Sequence, residues 1–182
     1  MDPVAEVGKQ APEFKLHDLA GELFQLDKSD DVVVLDFWSA NCPWSEQSDA
    51  QINDLLADQP WADQVQIWRV ASNVDEDMAA LRRVAAERHV GPVLRDEGHT
   101  VADIYGAQTT PHFYVIDTDR ILRYAGAPDN STWRQPEATI GYLRPAIEAA
   151  LRGETSDPAQ TPGRGCTIVR HQPGANGSTS YG

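Results

Sequence analysis

The residue best placed for chemistry is a cysteine at the mouth of a helix. Cys42 follows the apolar run Val32-Val33-Val34-Leu35 and directly precedes Pro43. The run reads as a strand buried on both faces. The proline suits the first position of a helix, where its missing N–H costs nothing. A thiol at that junction faces unpaired amides and the positive end of the helix. Both favour the thiolate, which is the nucleophilic form. A second cysteine, Cys166, lies in the island Gly165-Cys166-Thr167-Ile168-Val169, apolar and β-branched enough to dock on a folded domain. Two cysteines are too few for a disulfide scaffold or a four-thiolate zinc site. His17, His89, His99, His112 and His171 are scattered, with no helical metal-binding pair. No metal or organic cofactor is implied. Trp44 flanks Cys42, and an exposed indole there would suit an apolar or extended peptide segment.

Composition narrows the partners. Lys and Arg number 15 against 28 Asp and Glu, a net charge of -13. So acidic a chain is a poor fit to nucleic acid or an anionic membrane. No apolar stretch approaches the roughly 18 residues needed to span a bilayer. The opening MDPVAEVGKQAPEF lacks a charged region followed by an apolar one. A soluble, cytoplasmic protein is therefore expected, in which cysteines serve chemistry more often than structure.

The elements that must position Cys42 follow from periodicity. Residues 14–19 and 22–26 alternate apolar and polar around Gly21 and predict a hairpin. After Cys42 a helix is expected to about Gln59, then a strand over 65–70. A second helix follows, capped by Asn73 or Asp75, with Asp75, Glu76 and Asp77 in its first turn. Val93-Leu94 is a brief extended piece, and Thr100 to Tyr105 a short helix closed by Gly106. Two strands, 113–116 and 121–124, flank a turn. A last helix is expected from about Pro136 to Arg152, kinked at Pro145, with Ile140, Leu143, Ile147 and Leu151 inward. From Glu154 the composition turns to Pro, Gly, Ser and Thr, and the final ten residues read as disordered. The expectation is one α/β domain over residues 1–153, a central mixed sheet with helices on both faces, and an extended tail over 154–182.

The segment Leu35-Asp36-Phe37-Trp38-Ser39-Ala40-Asn41-Cys42 closely resembles the strand and active-site approach of thioredoxins, and Thr110-Pro111 resembles their cis-proline segment. The opening VGKQAPEFKLHDLAGELFQL resembles the redoxins of the alkyl hydroperoxide reductase and thiol-specific antioxidant superfamily. YGAQTTPHFYVID and TPGRGCTI extend the likeness to peroxiredoxin-like proteins with a Cys-Pro site and a late Gly-Cys segment. The resemblance implies a thioredoxin-like fold and Pro111 packed beside Cys42; Trp44, Thr110 and Ser45, which border that site, are the candidates for contact with substrate. It also implies a distant resolving role for Cys166. Asp36 matches the family's acidic residue, which handles a proton for a second active-site cysteine, and would otherwise be a buried carboxyl satisfied by hydrogen bonds.

Departures from the family matter. Ser45 stands where thioredoxins carry the resolving cysteine and cannot form a disulfide. Of the peroxiredoxin pattern P-x-x-x-T-x-x-C, Ser39 fills the hydroxyl position, but Leu35 replaces the proline. Thr110 stands where the peroxide-polarising arginine would be, and Arg120 and Arg123 read as the solvated face of a hairpin. The first expectation is thus a thiol-dependent oxidoreductase with Cys42 as nucleophile, resolved by Cys166 or by an external thiol. Its substrates would be protein or low-molecular-weight disulfides, and its reductant a partner thiol. The alternatives are a thiol peroxidase passing through a sulfenic acid and a redox-silent binding module using the Trp44–Pro111 groove.

Overall fold

The computed structural model describes residues 4–27 and 29–171. The final ten residues, which read as disordered, lie outside the described residues.

Five strands form the central mixed sheet: β3 (Val32–Phe37), β4 (Val65–Ala71), β5 (Val93–Arg95), β7 (Phe113–Ile116) and β8 (Leu122–Gly126), in the order β5-β4-β3-β7-β8. β3 lies at the centre, parallel to β4 and antiparallel to β7. Each of its six residues is buried, as a strand covered on both faces must be. Its side chains alternate. Val32 and Val34 meet Ile52 of α1 (Pro43–Ala57) and Leu143 and Ile147 of α4 (Leu143–Leu151). Val33, Leu35 and Phe37 meet Val101 and Tyr105 of α3 (Thr100–Tyr105) on the other face. The predicted hairpin is there too, as β1 (Lys15–His17) paired with β2 (Leu23–Gln25), and Phe14 and Phe24 pack edge-on to Trp68. Among the described residues no helix is long and apolar enough to cross a membrane.

Two helices begin later than their patterns predict. α2 runs Met78–Glu87, and Asp77 is its cap, with Oδ1 accepting from the Ala80 amide. Asp75 and Glu76 therefore precede the helix. The helix α4 starts at Leu143, so Pro145 sits in the first turn, where no intrahelical N–H is lost and no kink follows. Residues 128–142 form a loop, and Ile140 is 54% exposed instead of inward.

Beyond α4 the chain returns across the domain. Thr161 N–H donates to Ala125 and the Ala125 N–H to Ala159. The segment then forms β9 (Cys166–Thr167), antiparallel to β6 (Thr109–Thr110), with Cys166 opposite Thr110. Ile168 is buried in the core beside Val101 and Tyr105. The apolar island thus docks as its composition predicts.

Candidate active site

Cys42 is the N-cap of α1, in extended backbone (φ −93°, ψ 119°), with Pro43 as the first helical residue. Its side chain is 1% exposed. The Thr110–Pro111 peptide is cis, as the resemblance implies, and the Thr110 carbonyl lies 3.1 Å from Cys42 Sγ. Cys166 Sγ lies 2.7 Å from the same sulfur, and both cysteines are free thiols. The pairing that the sequence left to a family likeness is therefore a contact in the structure. Gly165 makes that approach possible. At φ +145° any Cβ would drive into the Thr110 carbonyl, so only glycine lets the strap lie this close.

The two thiols are electrostatically unequal. Burial raises the Cys42 pKa, but donors from Cys166, the Ser45 amide and the Thr110 hydroxyl outweigh it, and the thiol titrates below its ordinary value. The Thr110 carbonyl works the other way, since it accepts only from the protonated thiol. Cys166 is pushed up to about 12 by burial, by its hydrogen bond to Cys42 and by the charge there. Cys42 is accordingly the more acidic thiol of the pair, the one that ionises first, with Cys166 beside it as the donor to the ionised sulfur.

Asp36 continues the Val32–Val34 face of β3, toward α1. It is fully buried, and neither carboxyl oxygen has a hydrogen-bond partner among the described residues. The hydrogen-bonded alternative for this residue is thereby corrected. Burial raises its pKa to about 8, against the opposing pull of Arg69, so the carboxyl is neutral at pH 7. Nearby, Asp49 of α1 binds Arg69 at 3.4 Å and accepts from the Trp38 indole at 2.9 Å.

Ser45 and Trp44 do not form an exposed substrate surface. Ser45 is fully buried, and its hydroxyl accepts from the Ser39 amide at 3.2 Å. Trp44 is 8% exposed because Trp133 packs edge-on over it at 4.8 Å, itself 76% exposed. The exposed aromatic packed over Trp44 is therefore Trp133, from the loop that precedes α4. His112 stacks on Tyr114 at 4.7 Å, and burial lowers its pKa to about 4, so it is uncharged at neutral pH. Arg120 and Arg123 are not simply solvated. They pair with Glu13 and Asp117 respectively, and neither is among the residues lining the cleft at Cys42. That cleft, of about 130 Å3, is lined in part by Ser39, Asn41, Cys42, Cys166 and Thr167. No cluster of His, Cys, Asp and Glu among the described residues is set to hold a metal ion.

Sequence reasoning missed Glu76 and Asn73. Glu76 Oε1 accepts from Ser39 Oγ at 2.9 Å and from the Asn41 amide at 3.0 Å, and Oε2 accepts from Asn73 Nδ2 at 3.1 Å. The one available signal was the acidic run 75–77. Only one of its members can cap a helix, which leaves the others free for different work.

Fold, cis-proline and helix-capping cysteine together define a thioredoxin-like redoxin. The chain belongs to the AhpC/TSA family, whose profile matches residues 7–125. A thiol-disulfide oxidoreductase ResA from Bacillus thuringiensis subsp. konkukian is 29% identical over 116 residues, 63% of this chain and 65% of that protein. The chain thus spans less than two thirds of that relative's length. An uncharacterized conserved protein from Geobacillus kaustophilus superposes with a TM-score of 0.81 at 30% identity, over 93% of this chain and 94% of that one. The peroxidoxin BcpB of Mycobacterium tuberculosis shares the fold, with a TM-score of 0.62 at 23% identity, over 84% and 99% of the two chains.

Proposed function

We propose that this chain is a thiol-dependent oxidoreductase that works through a Cys42–Cys166 couple. The observation that carries the reading is the 2.7 Å separation of two unequal thiols. The Cys42 thiolate attacks one sulfur of a disulfide, forms a mixed disulfide and expels the first product thiolate. Cys166 then attacks Cys42 Sγ and expels the second, its proton leaving with the product. The sum is one external disulfide reduced and one internal disulfide formed. An external dithiol reverses the internal bond and is oxidised in turn. Cys42 is the better leaving group of the pair because its thiol is the more acidic. Asp36, neutral at pH 7, adds no negative charge behind the thiolate. The curated relatives named thiol-disulfide oxidoreductase support the same chemistry. Its setting in the reading is the cytoplasm, supported by an acidic chain with only two cysteines.

Reduction of hydroperoxides is a second reading, favoured by the small cleft that leads to Cys42. There the thiolate would take one peroxide oxygen, releasing an alkoxide or hydroxide, and Cys166 would condense with the sulfenic acid to give water and the same disulfide.

Dithiol-driven turnover of oxidised glutathione and of hydrogen peroxide, measured side by side, tests both. Exchange predicts faster turnover with glutathione, abolished in Cys42→Ser, and a trapped mixed disulfide in Cys166→Ser. Faster turnover with peroxide selects the second reading. No turnover with either rejects both and leaves the binding module.

A further inference from the structure

We propose that Glu76 is a positioning residue that ties the Cys166 strap to the Cys42 loop and so sets how readily the two sulfurs join. The inference rests on the exchange reading above and adds to it the device that controls ring closure.

Glu76 lies in the turn between β4 and α2 and is 2% exposed. A carboxylate taken out of water is costly unless donors replace the lost hydration. The donors here come from two directions. Ser39 and Asn41 belong to the loop that ends in Cys42, and both bond Oε1. Asn73 bonds Oε2, and its own Oδ1 accepts from the Val169 amide at 2.7 Å. The Val74 amide bonds the Val169 carbonyl at 3.1 Å, so the strap is gripped on both backbone groups of one residue. The path therefore runs from Val169, three residues past Cys166, through Asn73 and Glu76 to Asn41, which adjoins Cys42. Each bond to the carboxylate is charge-assisted, and stronger than a neutral one.

A carboxylate can accept on both oxygens at once, and no other side chain of that length can. In Glu76→Gln one oxygen becomes an NH2 group, which must face either the Ser39 and Asn41 donors or the Asn73 amide. A donor then meets a donor on one side, and the strap and the Cys42 loop are no longer held by one group. The strap keeps Ile168 in the core, so its docking is loosened, not lost.

The readout is the effective concentration of Cys166 at Cys42, measured as the equilibrium between the Cys42–Cys166 disulfide and glutathione buffers of set potential. Circular dichroism confirms folding of each variant. Glu76→Gln is expected to lower the effective concentration by at least about tenfold, the scale of one bond to a charged group. Asn73→Ala is expected to act in the same direction, and it carries the test if Glu76→Gln does not fold. Because both residues lie on one path, the double variant should lose no more than the worse single one. An unchanged effective concentration in the folded variants overturns the proposal, and so do additive losses. A wild-type protein that forms no Cys42–Cys166 disulfide is a different result: it rejects the exchange reading itself.

Discussion

At the scale of single residues, the chemistry depends on Cys42 being the stronger acid of the two thiols. Much of that acidity comes from its partner, because the Cys166 S–H stabilises the Cys42 sulfur once it is ionised. Replacing Cys166 by alanine removes the donor, whereas serine keeps an O–H in its place. The pH profile of Cys42 alkylation should therefore move to higher pH in Cys166→Ala, with a rate at pH 7 several-fold lower, and should move less in Cys166→Ser. Identical profiles for the two variants and the wild type would show that the helix start alone makes the thiolate.

Asp36 yields a second prediction at this scale. Its pKa is about 8 when folded and 3.8 ordinarily, so the folded protein binds the proton more tightly than the unfolded chain. Stability from this group is whole at low pH and declines as pH rises from about 4 toward 8, by at most about 1.4 kcal/mol per pH unit. Asp36→Asn keeps the shape and cannot ionise. The variant should gain on the wild type steadily between pH 5 and 8 in denaturant unfolding, by about 1.4 kcal/mol per pH unit at the steepest. His112 works in the opposite sense. Its pKa is lowered to about 4 from an ordinary 6.5, so its contribution is lost as pH falls below that value. A stability difference between wild type and Asp36→Asn that does not change with pH would mean the carboxyl is solvated.

At the scale of elements, the strap is the part that a thioredoxin-like domain could in principle do without. Its placement depends on Gly165, whose backbone passes directly over the Thr110 carbonyl. Gly165→Ala should lift β9 away while the central sheet stays intact. Oxidation should then give mixed disulfides on Cys42 in place of the internal bond, with thermal stability lowered by only about 1–3 kcal/mol, the scale of a local strain. An internal disulfide formed at the wild-type rate would show that the strap does not need this approach.

The elements also show where sequence reading succeeds and where it stops. The run Val32-Val33-Val34-Leu35 has no polar residue to choose a face, so burial on both sides was the only reading that fits, and β3 is the central strand. Thr100 to Gly106 carried its own stop signal and matched residue for residue. Pro136 to Tyr142 has helical spacing in part, which lengthens the predicted last helix, yet Ile140 is 54% exposed and the helix starts only at Leu143. Local sequence leaves the cap of α2 open, because Asn73, Asp75 and Asp77 are all good caps. Asn73 is committed to Glu76 and to Val169, far along the chain, while Asp77 accepts from the Ala80 amide and caps the helix. The burial of Trp44 is not legible locally, because its cover comes from a loop 89 positions later, at Trp133.

At the scale of the whole molecule, the arrangement joins two loops of one domain by a segment from beyond its last helix. The sheet and α1 fix Cys42, and β6 receives the returning strap. Neither local propensity nor hydrophobic period could set the distance between residues 42 and 166. It follows from the register of β9 on β6, where Cys166 falls opposite Thr110. A slip of one residue would turn the sulfur to the opposite face of the strap. The family likeness supplied the expectation, and the register gives it a physical cause.

The most direct test of the account is peptide mapping by mass spectrometry of the non-reduced protein after brief treatment with stoichiometric oxidised glutathione. The account predicts that the peptides bearing Cys42 and Cys166 are recovered joined to each other, and that a dithiol separates them again. Recovery of the two cysteines each bound to glutathione, or both free, would contradict it.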